Sequence, residues 1–280
     1  MQFTKERLEF FAKIIQKEVG IVYSQENFFQ LEKRLIEIAK FLNYDESKMN
    51  SLREFDIHGH FKDLLLDVAT NNETSFFRDK KLFQSIESTI VPEILNQKLI
   101  KTINVWSAAC SSGQEPYTLA ILFNEMNERG LKFNYNILAT DFSNRILDRA
   151  KNGSYTQLEV QRGLPAKLLI KNFKKSNDGT WKINDEVKRH IKFQHINLVE
   201  SFEKLDQFDI ILCRNILIYQ STESKINIVE RMAKKLNLGG FLALGAAESL
   251  IGLTDYFQSM LVDGATVYRI KDEYSKKLAA

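Results

Sequence analysis

The 280-residue chain is poor in the residue types that mark most specialised classes of protein. Its two cysteines, Cys110 and Cys213, each stand in an apolar, strand-like stretch, where buried free thiols are found, so a disulfide framework is excluded. The four histidines are scattered, no Cys/His spacing suggests zinc, and no metal is expected. No apolar run approaches the roughly 20 residues that a membrane-spanning helix needs. The N-terminal MQFTKERLEFF has the pattern of a charged amphipathic helix, unlike a signal peptide. A formal charge of +3 is too small to call for nucleic acid or a membrane surface. Ser-His-Asp and Cys-His constellations, internal repeats and low-complexity tracts are missing as well. These absences leave a soluble globular chain, expected in the cytoplasm, with 44% apolar and 27% charged residues and length for one large domain or two smaller ones.

What the chain does have is centred on Ile103 to Asp141. Ile103, Val105 and Trp106 make a short apolar run, and Ser107 to Gly113 are all small. Pro116 stands where a helix begins and its missing N–H costs nothing there. Leu119, Ala120, Leu122, Phe123 and Met126 give that helix an apolar face. A second strand, Ile137 to Thr140, delivers Asp141 at its end. Small residues after the first strand let a ligand approach the backbone, and an acid after the second can accept from both ribose hydroxyls. This is the nucleoside-binding half of a Rossmann-like sheet. A dinucleotide fingerprint needs three glycines, but this turn has only Gly113, and Glu115 would repel a phosphate. An acid there suits a ligand with an ammonium and a positive centre, such as S-adenosylmethionine. Methyltransferase, dehydrogenase and an ordinary strand-to-helix turn all stay open on these residues alone.

Residues 1–85 are expected to form a helical domain, with Leu8, Phe11 and Ile15 on one stripe and Phe28, Leu31, Leu35, Ile38 and Phe41 on another. Ser24 is the expected N-cap of the second helix. The 13 basic and 14 acidic residues of this segment cancel, and Lys33, Arg34 and Lys40 stand against Glu26, Glu32 and Glu37 on the second helix. In NNETSFFRDKKLF, Asn71, Asn72 and Thr74 suit either the capping of a helix or a ligand contact; Phe76, Phe77, Leu82 and Phe83 are expected in the core. Arg78 either is solvated or offers its planar fork to a carboxylate. Beyond Asp141 a helix runs from a Ser143 cap to Asn152-Gly153. A hairpin turning at Asn177-Asp178-Gly179 is inserted at about residues 170–192. The main sheet resumes at Ile191 to Asn197. FDIILCRN is a buried parallel strand ending in Arg214-Asn215. A helix from about Ser221 to Leu236 precedes the strand GFLALG, and the last hairpin turns at Asp263-Gly264. A reversed final strand distinguishes methyltransferase sheets from dehydrogenase sheets.

In this order, NETSFFRD, WSAACSSGQEPYTLAI, LATDFSNRILDRAKNGSY, EVQRGLP and FDIILCRNILIYQ resemble the CheR family of chemotaxis receptor methyltransferases over nearly the whole chain. The resemblance implies a Rossmann-like S-adenosylmethionine-dependent methyltransferase domain at 86–280, behind an N-terminal helical domain at 1–85. It implies methylation of glutamate side chains on the cytoplasmic helices of chemoreceptors by a monomeric chain that inserts in no membrane. S-Adenosylhomocysteine would be the product. Cofactor contacts are implied for Asn72, Thr74, Arg78, Glu115, Asp141, Asn197, Leu198, Asn215 and Ile216. No catalytic base is expected, since a glutamate is already ionised at neutral pH. The inserted hairpin resembles the subdomain that grips a receptor tail in some members, although EVQRGLP is more like members that need no tail. The chain departs from the family in LNLGG, where LKPGG is common. Gly245-Ala246-Ala247-Glu248 likewise lacks the usual histidine. Methylation of another protein or a small molecule, and a non-enzymatic regulator that binds S-adenosylmethionine, are the remaining alternatives.

Overall fold

The structure, a computed structural model, describes residues 1–274. Two compact units divide the chain: Met1–Asn72 with Tyr219–Lys225, and Glu73–Ile218 with the chain from Ile226 onward.

The first unit is helical, with helices Lys5–Val19, Phe28–Leu42, Glu46–Ser51 and Gly59–Ala69. Thr4 accepts from the Arg7 N–H at the start of the first, and Gly20 ends it in the left-handed region (φ 74°). Leu8, Phe11 and Ile15 are buried, as are Leu31, Leu35 and Ile38. Phe41 corrects the expected stripe: it is 66% exposed, its ring 5.9 Å from that of His60. The inward face of the last turn is completed by Ala39, which leaves Phe41 on the flank. Ser24 makes no capping bond either. A 3-10 turn, Gln25–Asn27, follows it, and the α-helix starts only at Phe28.

The second unit has strands β1 (Thr102–Ala108), β2 (Asn134–Asp141), β3 (Ser154–Tyr155), β4 (Phe173–Lys175), β5 (Trp181–Ile183), β6 (Ile191–His195), β7 (Phe208–Cys213), β8 (Leu236–Leu244), β9 (Phe257–Val262) and β10 (Ala265–Ile270). Seven of them form one sheet in the order β6-β2-β1-β7-β8-β10-β9. The first five are parallel; β10 and β9 close the sheet as an antiparallel hairpin. Its two-residue turn has Asp263 and Gly264 at φ 47° and 80°, the double left-handed geometry that matches strand twist. The apolar side of helix Gln114–Glu128 covers one sheet face, burying Leu119, Ala120 and Phe123. On the other face Ile228, Val229 and Met232 pack with Trp106, Ile211 and Leu242.

Every position of β7 is buried, as its unbroken apolar run requires, with one polar member. Asp209 accepts from Lys98 Nζ at 2.6 Å, the Asn104 N–H at 2.8 Å and Asn237 Nδ2 at 2.7 Å, so its charge is paired. The helix before β8 ends at Ala233, short of the expected Leu236, and β8 runs through Gly239-Gly240. Those glycines therefore lie inside a strand. Gly239 at φ 74° accompanies the register irregularity between Phe208 and Ile210.

The inserted hairpin forms as expected, with β4 paired to β5 across the Asn177-Asp178-Gly179 turn. A third strand, β3, joins from earlier in the chain to give the order β3-β5-β4. Beside this small sheet, EVQRGLP lies directly on NETSFFRD. A Cβ added at Gly163 (φ 96°) would stand 2.0 Å from the Phe76 carbonyl oxygen, so only glycine fits. Gly163→Ala is expected to cost roughly 2–5 kcal/mol, from a left-handed alanine plus overpacking. A urea titration showing loss of less than about 1 kcal/mol would mean the two segments are not locked together.

Candidate cofactor site at the carboxyl edge of the sheet

From β1 the chain builds toward β2 and β6 on one side, while β7 and β8 lie on the other. The crevice at such a reversal, beyond the carboxyl ends of the strands, is where open α/β sheets bind ligands. Pairings of Ala108 with Thr140 and Cys213, and of Asp141 with His195, bring the ends of β1, β2, β6 and β7 together there.

The turn after β1 is tight because Ala109, Ser111 and Gly113 all take positive φ, at 59°, 50° and 92°. Such a backbone cannot hold itself, and two groups from β2 hold it. The Thr140 carbonyl accepts from the Cys110 N–H at 2.8 Å. Asp141, 6% exposed, accepts the Ser111 N–H on Oδ2 at 2.9 Å and the Ser143 N–H on Oδ1 at 3.2 Å. The expected ribose acceptor is thus also the latch of the turn. Gly113 is wedged under Ala150 and Tyr155, and its absent Cβ would come within 3.0 Å of Ala150 Cβ. Tyr155 Oη donates to the Ser112 carbonyl and Tyr117 Oη to that of Ala150, both at 2.7 Å. Burial pushes both phenols up, which keeps them as donors. Burial, with Asp141 and Glu115 nearby, raises the Cys110 thiol too, leaving it protonated and inert.

Glu115 is in the first turn of helix Gln114–Glu128, where the helix dipole favours an acid. Both of its oxygens are engaged: Oε1 accepts from Ser107 Oγ and Oε2 from Arg214 Nη1, each at 2.7 Å. The Arg214 side chain is 3% exposed and lies 5.6 Å from the Phe83 ring centre. Its Nη2 donates to the Arg78 carbonyl at 2.8 Å and to the Asp79 carboxylate.

The segment Glu73–Asp79 is irregular, with Phe77 and Asp79 at φ 50° and 62°. Phe76 is buried edge-on to Tyr155 and Phe173, and the Phe77 N–H donates to Thr118 Oγ1 at 3.1 Å. The next helix starts at Lys80 behind Asp79, so Asn71, Asn72 and Thr74 do not cap it. Asn72 is the last residue of the helical unit and accepts there from Thr70 Oγ1 at 3.2 Å. Thr74 is half-buried in the second unit. Arg78, half-buried as well, donates from Nη1 to the Glu73 carbonyl at 2.9 Å, which spends one of its five N–H groups.

At the ends of β6 and β7 the remaining expected residues are held by backbone and side-chain contacts. Asn197 Oδ1 accepts the Val199 N–H at 3.3 Å, and the carbonyl of buried Leu198 accepts from Arg231 Nη2 at 2.7 Å. Asn215, at φ 59°, donates its N–H to Glu248 Oε2 at 2.7 Å, while Ile216 packs on the apolar cluster behind it. Glu248 also accepts the N–H groups of Gly245 and Ile218. In Gly245-Ala246-Ala247-Glu248 it is therefore the acid that fastens the loop. Sequence reasoning passed over Arg214 as a group to be paired, and over Asp79, Ser107 and Glu248. The one available signal was an arginine closing a wholly apolar strand, since a buried guanidinium demands partners.

A parallel sheet ending in a reversed hairpin, a small-residue turn and acids after β1 and β2 define the class of S-adenosylmethionine-dependent methyltransferases. Residues 72–265 match the family model described as the CheR methyltransferase, SAM binding domain. The chain belongs to the CheR methyltransferase family. It is 37% identical over 266 residues to chemotaxis protein methyltransferase 1 of Vibrio cholerae, covering 93% of this chain and 95% of the relative. The chemotaxis protein methyltransferase of Vibrio anguillarum is 38% identical over 270 residues, with the same coverage. Chemotaxis protein methyltransferase 1 of Pseudomonas aeruginosa is 33% identical over 271 residues, 94% of this chain and 97% of the relative.

Because Asp141 latches the turn and is the expected ribose acceptor, Asp141→Ala should show two effects. Unfolding free energy should fall by about 1–3 kcal/mol from the orphaned N–H groups, and calorimetric affinity for S-adenosylhomocysteine should fall at least about tenfold. Unchanged affinity would remove Asp141 from the ligand site.

Proposed function

We propose that the chain methylates glutamate side chains on the cytoplasmic helices of chemoreceptors, using S-adenosylmethionine, and that it does so in the cytoplasm. The acid pair Glu115 and Asp141, fixed at the carboxyl edge within a CheR family domain, is the observation that carries the reading. The residues present fit the ligand. Asp141 accepts for ribose, Glu115 attracts the ammonium, and the half-buried Arg78 fork suits the carboxylate. Leu198 and Ile216 offer apolar surface to a base, beside the Asn197 and Asn215 polar groups. Thr74 adds a hydroxyl from the segment that carries Arg78.

Bound S-adenosylmethionine supplies an electrophilic methyl group on a sulfonium, which a carboxylate oxygen accepts in line with the breaking S–C bond. An acceptor glutamate, with an unperturbed pKa of about 4.3, needs no proton removed at neutral pH. The protein's part is to hold the oxygen about 3 Å from the methyl and to exclude water, which strengthens the attraction between anion and sulfonium. Label transferred to receptor membranes from S-adenosylmethionine is expected to leave as methanol in mild alkali. Alkali-stable label, as on lysine or arginine nitrogen, would exclude a carboxyl acceptor.

Helix Phe28–Leu42 offers the docking face, and its start at Phe28 leaves Glu26 outside it. Glu32 is turned onto the Phe3 N–H at 3.1 Å, and Arg34 is tied to the Ala69 carbonyl. The exposed side retains Phe29, Lys33, Glu37 and Lys40, with two lysines against one acid. With Glu26 in the 3-10 turn ahead of it, the helix itself carries three bases against two acids, a modest basic excess. Lys33→Glu with Lys40→Glu should slow receptor methylation at 0.01 M salt, and the difference from the parent should shrink as the Debye length falls to about 10 Å at 0.1 M. A difference independent of salt would place receptor docking elsewhere.

A further inference from the structure

We propose that Arg214 is the positioning residue for the amino-acid half of the cofactor, a role that rests on the methyltransferase reading above. One buried guanidinium joins two segments far apart in sequence. Nη1 holds Glu115, and Nη2 holds the Arg78 carbonyl and the Asp79 carboxylate. Glu115 is the group suited to an ammonium, and Arg78 is the fork suited to a carboxylate. An α-amino acid presents these two charges on a single carbon, so its site needs an anion and a cation at a set spacing. Arg214 spans the interval between them, and Ser107 fixes the other oxygen of Glu115.

The geometry favours orientation over stability as the reason for the residue. A buried arginine ion pair contributes little net stability compared with apolar packing. Arg214 also leaves its Nε buried without a hydrogen-bond partner, a further cost. What it secures is a segment with two left-handed non-glycine residues, Phe77 and Asp79, which carries Arg78 and has no regular structure of its own. Lysine cannot replace it, because a single ammonium lacks the planar fork that reaches both carboxylates.

The test compares two ligands. S-Adenosylhomocysteine has the amino-acid half; 5′-methylthioadenosine retains the nucleoside and thioether and lacks it. In calorimetric titrations Arg214→Lys should weaken S-adenosylhomocysteine by at least about tenfold while leaving 5′-methylthioadenosine within about twofold. The KM for S-adenosylmethionine should rise accordingly, with most of kcat retained at saturation. Asp79→Asn provides a milder variant, since asparagine tolerates the left-handed backbone at φ 62°, and should shift the same ratio in the same direction. If the lysine variant does not fold, Asp79→Asn decides by the same criterion. Equal losses for both ligands would make Arg214 a general structural support and overturn the proposal, as would no loss for either. Failure of the unaltered protein to bind either ligand would overturn the methyltransferase reading itself.

Discussion

The carboxylate of Asp141 is the contact on which the site depends. A sharp strand-to-helix turn requires backbone conformations that L-residues avoid, and here Ala109 and Ser111 adopt them without being glycine. Conformations of that kind persist only when their surroundings over-determine them. Asp141 does so by receiving one N–H from the turn and another from the start of the next helix, while Tyr155 holds the Ser112 carbonyl. Register between β1 and β2 places that acid opposite the turn, and register between β1 and β7 brings Arg214 beside Glu115. The parallel sheet is therefore the ruler that spaces the polar groups at its edge.

Those polar groups are already engaged by the protein itself. Asp141, Glu115 and Glu248 all use their oxygens on the protein's own donors. Each carboxylate oxygen has a second lone pair, so internal bonds do not exhaust it. An acid already fixed by its neighbours loses little side-chain freedom when a ligand arrives, which favours affinity. The cost appears elsewhere: removing such an acid deprives the turn of its support, so stability must be measured beside affinity.

Much of this was legible in sequence because it follows from periodicity and turn chemistry. FDIILC could only be a strand buried on both faces, Asp263-Gly264 only a tight hairpin turn, and Ser143 with Gly153 bracketed a helix as their chemistry demands. The small residues after β1 and the acid at the end of β2 marked the tight turn and its partner strand. Long-range partnership was not legible. Nothing near Arg214 in sequence names Glu115 or Asp79, about 100 and 135 residues away, and pairing across that distance is set by the sheet order. Phe41 and the Gly239-Gly240 pair went astray for a related reason. A stripe ends where its packing partner ends, and a glycine pair stops a helix only if no neighbouring strand recruits it.

Charge illustrates the same limit at the surface. Summed from Ser24 to Leu42, three acids and three bases cancel, yet a partner meets only the side chains that folding leaves outward. Glu32 is used by the Phe3 N–H and Arg34 by the Ala69 carbonyl, which turns one side chain of each sign away from the outer face. On the helix itself two lysines, one acid and the 56%-exposed ring of Phe29 remain, Lys33 lying over that ring at 5.8 Å, with exposed Glu26 in the turn ahead. An aromatic face can cover apolar surface while its attached ammonium meets a carboxylate. Such a surface suits helices that alternate acids with apolar residues better than a purely basic face would. Its attraction is short in range, so it would select among acidic helices by apolar fit once they arrive, with less reach for drawing them from a distance.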